Sequence, residues 1–168
     1  MSEQLLIYGA NGYTGELVAR RAVERGLRPT LAGRSADAVA AVARRLGLPH
    51  LVVSLEDAAG LVAALSGRSV LIHCAGPFSR TSRPLADACL RTGTHYLDIT
   101  GEIAVFEQLQ CRDGEARAAG VMLLPGAGFD VVPTDCLAAH LKRRLLSATQ
   151  LRLYIRGLRG GVSRGTAR

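Results

Sequence analysis

Leu5-Leu6-Ile7-Tyr8-Gly9-Ala10-Asn11-Gly12-Tyr13-Thr14-Gly15 is the stretch that decides the fold. Four apolar residues run into a Gly-x-x-Gly-x-x-Gly turn. Residues 13–25 follow, with Leu17, Val18, Ala22 and Val23 expected on one helical face. The pattern predicts a strand, a tight turn and a helix. In such a turn Gly9 permits the sharp change of direction, Gly12 lets backbone approach a pyrophosphate, and Gly15 allows close packing of helix on strand. The N–H groups and dipole of the helix start favour phosphate. The first gap is one residue wider than in the commoner Gly-x-Gly-x-x-Gly, so the glycines alone are weak evidence. The strand before them and the helix after them supply the context. Gly9, Asn11, Gly12, Tyr13, Thr14 and Gly15 are therefore the candidate phosphate-binding residues.

The strand–helix unit recurs along the chain. Strands are expected at 30–32, 50–53, 69–74, 95–99 and 121–124. Helices are expected at 36–46, 57–65, 83–91, 103–119 and 134–145, with Pro84 in a first turn. Near-continuous apolar strands between helices imply a doubly wound, Rossmann-like α/β domain, its parallel sheet covered on both faces. No low-complexity segment interrupts the pattern, and no linker precedes about residue 147. Beyond it, Leu151-Arg152-Leu153-Tyr154-Ile155-Arg156 alternates apolar and polar residues, as a strand with one wet face does. The expected division is a dinucleotide-binding domain over 1–148 and the start of a second domain over 149–168.

Two further strand ends carry chemistry. Gly33-Arg34-Ser35 follows the second strand, where an NAD site places an acid for the ribose 2′-hydroxyl. No acid is present. Arg34 offers a planar, permanently charged fork for a 2′-phosphate, and Ser35 a further hydrogen bond, which favours NADP over NAD. The fourth strand ends in Cys74-Ala75-Gly76-Pro77-Phe78. Ala75, Gly76 and Pro77 are small or rigid residues against which the nicotinamide half can lie.

The net charge of +7 is spread along the chain, largely as arginine, with Lys142 the sole lysine. Glu16, Arg20 and Glu24 are spaced four apart for pairing on a helix surface. The stretch 152–168 is basic without an acid, but aromatics are few, so nucleic acid is not the expected partner. No apolar run approaches the roughly 20 residues of a membrane helix, and Met1-Ser2-Glu3-Gln4 does not open a signal peptide, so a cytoplasmic location is expected. Cys74, Cys89, Cys111 and Cys136 lack metal or redox spacing and read as reduced core or half-buried thiols. His50, His73, His95 and His140 are equally scattered, and no metal site is expected.

These motifs together resemble the cofactor domain of the saccharopine dehydrogenase-like oxidoreductases, including their trans-acting enoyl reductase branch. The resemblance rests on Gly9 to Gly15, Ala32-Gly33-Arg34, Gly76-Pro77-Phe78, Gly93 to Glu102, Gly128 to Asp135 and Gly160 to Thr166, and spans essentially the whole chain. It implies NAD(P) binding here, a second domain that supplies most of the substrate cavity, and hydride transfer to an imine or enoyl-type substrate. That substrate is either a small molecule or carrier-bound, and the full-length protein is expected as a homodimer. The chain departs from the family by ending at Arg168, where that second domain should begin, so it is expected to be incomplete for activity.

Asp98, Glu102 and Asp130 lie after the fifth and sixth strands, at the edge where open sheets bind ligands. They stand between ligand contacts and helix caps, whereas Thr100 and Asp135 are expected as caps. The Tyr-x-x-x-Lys pair of the short-chain dehydrogenases is absent, since positions four after Tyr8, Tyr13, Tyr96 and Tyr154 hold Gly12, Leu17, Thr100 and Leu158. Hydride transfer would then rest on the cofactor's chemistry, with the protein orienting it. The alternative is a non-catalytic dinucleotide-binding module, such as a redox sensor or accessory subunit.

Overall fold

The computed structural model describes residues 4–154. Six strands, β1 (Leu5–Tyr8), β2 (Thr30–Gly33), β3 (His50–Val52), β4 (Val70–His73), β5 (His95–Asp98) and β6 (Leu123–Leu124), form one sheet in the order β3-β2-β1-β4-β5-β6. Every pairing is parallel, and the register sets Ile7 of β1 beside Leu31 of β2 and Ile72 of β4. The connecting helices are α1 (Tyr13–Glu24), α2 (Ala36–Leu46), α3 (Ala58–Leu65), α4 (Phe78–Thr92), α5 (Ile103–Gln110) and α6 (Asp113–Ala119), and α7 (Val132–Arg144) follows β6. This is the doubly wound Rossmann order, which reverses between β1 and β4.

Alternation along the strands builds two cores. Leu6, Tyr8, Leu71 and Tyr96 face α3, α4 and α5 through Leu61, Leu65, Leu85, Cys89, Val105 and Leu109. Ile7 and Leu31 face the opposite layer, where α1 and α2 contribute Ala19, Val39, Val42 and Ala43. On α1 the helix rests on Gly15, Ala19 and Ala22, and Leu17 and Val23, expected on the core face, are exposed. Ala22 of the expected face is buried and Val18 packs partly buried against this core, so the contact stripe is small residues with one valine, which lets the helix lie close to the sheet. On its outer surface Arg20 pairs with Glu16 as the spacing predicts, whereas Glu24 pairs with Arg21.

Three helical expectations change. α4 begins at Phe78 rather than residue 83, so Pro84 sits inside the helix and not in its first turn. The extra turn is secured by a carboxylate from another loop, described below. The single helix expected over 103–119 is broken into α5 and α6. At the break Arg112 turns back to Asp87 of α4 at 2.7 Å and to Glu115 at 2.8 Å. α7 begins at Val132, with Val131 as its N-cap, so Asp135 lies in the first turn and does not cap it. No residue of α7 is buried, and Leu137, Leu141 and Leu145 form an exposed stripe. Of the strand expected over 151–156, residues 151–154 have no regular secondary structure, and Ile155 and Arg156 lie outside the described residues. Cys74 is half-buried and Cys89 buried as expected, but Cys111 and Cys136 are exposed.

Leu71 lies at the centre of β4 and is fully buried. Leu71→Ala is expected to lower unfolding free energy by about 2–5 kcal/mol, the range for a cavity in a packed core. Urea denaturation checks this, and a loss below about 1 kcal/mol would contradict the packing described.

Candidate dinucleotide site

The carboxyl ends of β1, β2 and β4 meet where the strand order reverses, and the residues singled out in the sequence gather there. Gly9 leaves β1 with φ +80°, a left-handed conformation that favours glycine. A Cβ on Gly9 would stand 2.8 Å from the Cβ and the backbone nitrogen of Ala75, so the β1 and β4 loops touch backbone to backbone. A Cβ on Gly15 would drive into the Gly9 carbonyl oxygen, which lets α1 start directly over the turn. Gly12 differs, since its only close neighbour would be Gly9 O at 3.3 Å. Apart from that carbonyl, nothing within 4 Å would meet a Cβ at Gly12.

Gly12 is the N-cap of α1 and offers no side chain to the first-turn amides. Tyr13 is 74% exposed and Thr14 half-buried at that helix start. Asn11 reaches toward β2, its Oδ1 lying 3.1 Å from where a Cβ on Gly33 would sit. Ser35 is the N-cap of α2 and likewise makes no side-chain capping bond. Arg34, beside it, is exposed and has no ion pair within 4 Å among the described residues. Its charge still reaches Glu56, whose carboxyl is held low first by the Ser54 hydroxyl and also by Arg34. Two helix starts without side-chain caps thus flank one arginine on a single edge of the sheet. That arrangement fits a ligand with two separated phosphates.

The β4 side is built differently. Ala75 O accepts from the Thr81 hydroxyl at 2.7 Å and lies 3.0 Å from His73 Nε2. A carbonyl only accepts, so Nε2 carries the proton and Nδ1 faces the Tyr96 hydroxyl at 3.0 Å as an acceptor. The same hydroxyl donates to Asp98 Oδ2 at 2.6 Å. One phenolic proton is shared between two acceptors, and burial with Asp98 beside it raises the phenol's pKa, so the proton stays. Burial holds the His73 imidazole down to about 4, hence neutral. Cys74 and Cys89 are pushed up to about 12 by burial, which leaves them poor nucleophiles.

Asp98 and Glu102, open in the sequence, now have definite places. Asp98 is fully buried, and its Oδ1 accepts the N–H groups of Thr100 at 3.0 Å and Gly126 at 2.9 Å. It braces the loops after β5 and β6 from inside. Thr100 is not an N-cap, because Glu102 holds that position on α5, but its hydroxyl accepts the Glu102 N–H at 3.0 Å. The Glu102 carboxylate reaches across to α4 and accepts the N–H groups of Phe78 at 2.7 Å and Ser79 at 2.9 Å. Partial burial pushes this carboxyl up, but the bonds from Ser79 and Phe78 outweigh it and hold it below the usual carboxylate range. Asp130 is exposed in the turn before α7. Spacing alone did not reveal His73 and Tyr96 as members of this network; both read as ordinary strand residues.

Neutral His73 makes stability depend on pH. Its folded pKa, about 4, lies below the ordinary 6.5, so the unfolded chain binds the proton first. Its contribution is complete above pH 6.5 and is lost as pH falls toward 4, up to about 3 kcal/mol. Urea midpoints between pH 7.5 and 4 are expected to fall, and His73→Gln, which keeps a donor and an acceptor, should remove that share of the slope. Identical slopes for both proteins would show that burial does not lower the His73 pKa in the fold.

Comparison with known proteins identifies the family. A family model described as the saccharopine dehydrogenase NADP binding domain matches residues 5–124. A trans-acting enoyl reductase of Mycobacterium leprae is 34% identical over 151 residues, covering 84% of this chain and 36% of that protein. Its counterpart in Mycobacterium ulcerans is 32% identical over 154 residues, with the same coverage. The chain thus spans 36% of the length of these curated relatives. Among solved structures, apo saccharopine dehydrogenase (L-Glu forming) of Saccharomyces cerevisiae superposes with a TM-score of 0.74 at 20% identity, over 87% of this chain and 32% of that one. The triphenylmethane reductase of Citrobacter sp. complexed with NADP(H) gives 0.55 at 16% identity, over 69% and 46%. At such identities the structural likeness concerns the fold, while the family model and the sequence relatives carry the assignment: the chain belongs to the saccharopine dehydrogenase NADP binding domain family.

Proposed function

We propose that this chain is the cofactor-binding part of an NADP-dependent oxidoreductase acting on an imine or an enoyl-type double bond. The observation that carries the reading is the edge where α1 and α2 begin without side-chain caps beside Arg34, which has no ion pair among the described residues. Gly9, Asn11, Gly12, Tyr13, Thr14 and Gly15 hold the pyrophosphate through the start of α1. Arg34 and Ser35 hold the 2′-phosphate at the start of α2. Ala75, Gly76 and Pro77 support the nicotinamide half over β4, which NADPH, when bound, equips for hydride transfer. The enoyl-type substrate follows from the name of the mycobacterial relatives.

The domain reading is part of the same proposal. Residues 1–148 make the Rossmann domain, and 149 onward open a second unit that shapes the substrate cavity. The exposed Leu137, Leu141 and Leu145 stripe of α7 supports a further layer there. A cytoplasmic location, a homodimer of the full protein and a small or carrier-bound substrate belong to this reading. Among the described residues no helix is long and apolar enough to cross a membrane.

Two titrations test the cofactor assignment. NADPH is expected to bind the 168-residue chain more tightly than NADH by about 1–3 kcal/mol, the worth of charge-assisted bonds to phosphate. Arg34→Ala should remove most of that margin and leave NADH affinity nearly unchanged. A native preference for NADH would overturn the assignment of Arg34. Gly12→Val should abolish binding of both while thermal unfolding stays close to that of the unaltered chain, because a Cβ at Gly12 would meet only the Gly9 carbonyl oxygen, at 3.3 Å. Gly15→Ala should instead destabilise by about 1–3 kcal/mol through overpacking. Retained affinity in Gly12→Val would mean that the turn holds no phosphate.

A further inference from the structure

The loop from Ala75 to Phe78 is clamped at both ends by one closed hydrogen-bond circuit. From Ala75 O it runs through His73 and Tyr96 to Asp98 Oδ2. From Asp98 Oδ1 it continues through Thr100 to the Glu102 backbone, and the Glu102 carboxylate closes it on Phe78 and Ser79. The Phe78 ring also stands edge-on to His73, with centroids 4.9 Å apart. Most of this circuit is buried, and Glu102 is its half-buried exit to the sheet edge.

We propose that Glu102 is a positioning residue for the nicotinamide half of the dinucleotide, acting through the Ala75–Phe78 loop. The proposal rests on the cofactor reading above. Every helix that follows a strand starts along this edge of the sheet, and the three that follow the central strands β1, β2 and β4 are α1, α2 and α4. α1 and α2 lack side-chain caps, whereas the start of α4 is filled by a carboxylate borrowed from the loop after β5. Glu102 therefore does two things. It denies the α4 start to a phosphate, leaving α1 as the pyrophosphate site, because a second anion beside a carboxylate is repelled. It also fixes the backbone on which the second mononucleotide lies, since the strand order places one half over β1 to β3 and the other over β4 to β6. A loop already ordered costs the ligand nothing to order on binding.

Calorimetric titration of the 168-residue chain with NADPH and with adenosine 2′,5′-bisphosphate, which lacks the nicotinamide half, separates the roles. Glu102→Ala is expected to weaken NADPH about tenfold, the size of one lost ordering or charge-assisted term, and to leave the bisphosphate within about twofold. Glu102→Gln keeps one acceptor oxygen and should fall between, and it carries the test if the alanine variant does not fold. Equal losses for both ligands, or no loss for either, would overturn the positioning role. Failure of the unaltered chain to bind the bisphosphate would instead overturn the cofactor reading, and with it this proposal.

Discussion

The constraint on which the rest of this structure depends is the contact of backbone with backbone where Gly9, Gly15 and Ala75 meet. Neither Gly9 nor Gly15 has room for a Cβ: one would strike Ala75 and the other the Gly9 carbonyl. Because these three positions lack bulk, α1 can begin over the end of β1 while the β4 loop closes in from the other side. The switch point between β1 and β4 is thereby narrow, and the helix start points into it. A larger side chain at Gly9 or Gly15 would separate the elements that the site needs together.

Around that contact the protein divides its polar groups into two kinds. On the β4–β6 side a fully buried carboxylate, Asp98, is tolerated because its oxygens receive a phenolic hydroxyl and two backbone N–H groups. An unpaired carboxylate at that depth would be costly, and one so fully bonded acts instead as a brace. On the β1–β2 side the donors are left outward, at two helix starts without side-chain caps and on Arg34. Beside the switch point the start of α4 is thus satisfied from within the protein, whereas the starts of α1 and α2 leave positive partial charge facing outward. The net charge of +7 contributes a favourable background for anions.

The sequence by itself determined the strand–turn–helix order, the glycine-rich turn and the arginine after β2. Each depends on local chemistry: apolar runs long enough to be buried strands, glycines where backbone must approach closely, and the absence of an acid at the end of β2. Helix ends set by residues near in sequence were legible for the same reason. The partners of Asp98 and Glu102 were decided only in the tertiary structure. Glu102 lies 23 and 24 residues from the amides it binds, and that distance is bridged because β4 and β5 are neighbours in the sheet. The early start of α4 and the break at Arg112 have the same origin, since each rests on a side chain paired to a different element. Leu17 and Val23 were misplaced on the core face of α1, whereas Val18 and Ala22 do lie against it, because apolar spacing marks what side chains can bury and this helix packs mainly through small residues whose value is the missing side chain.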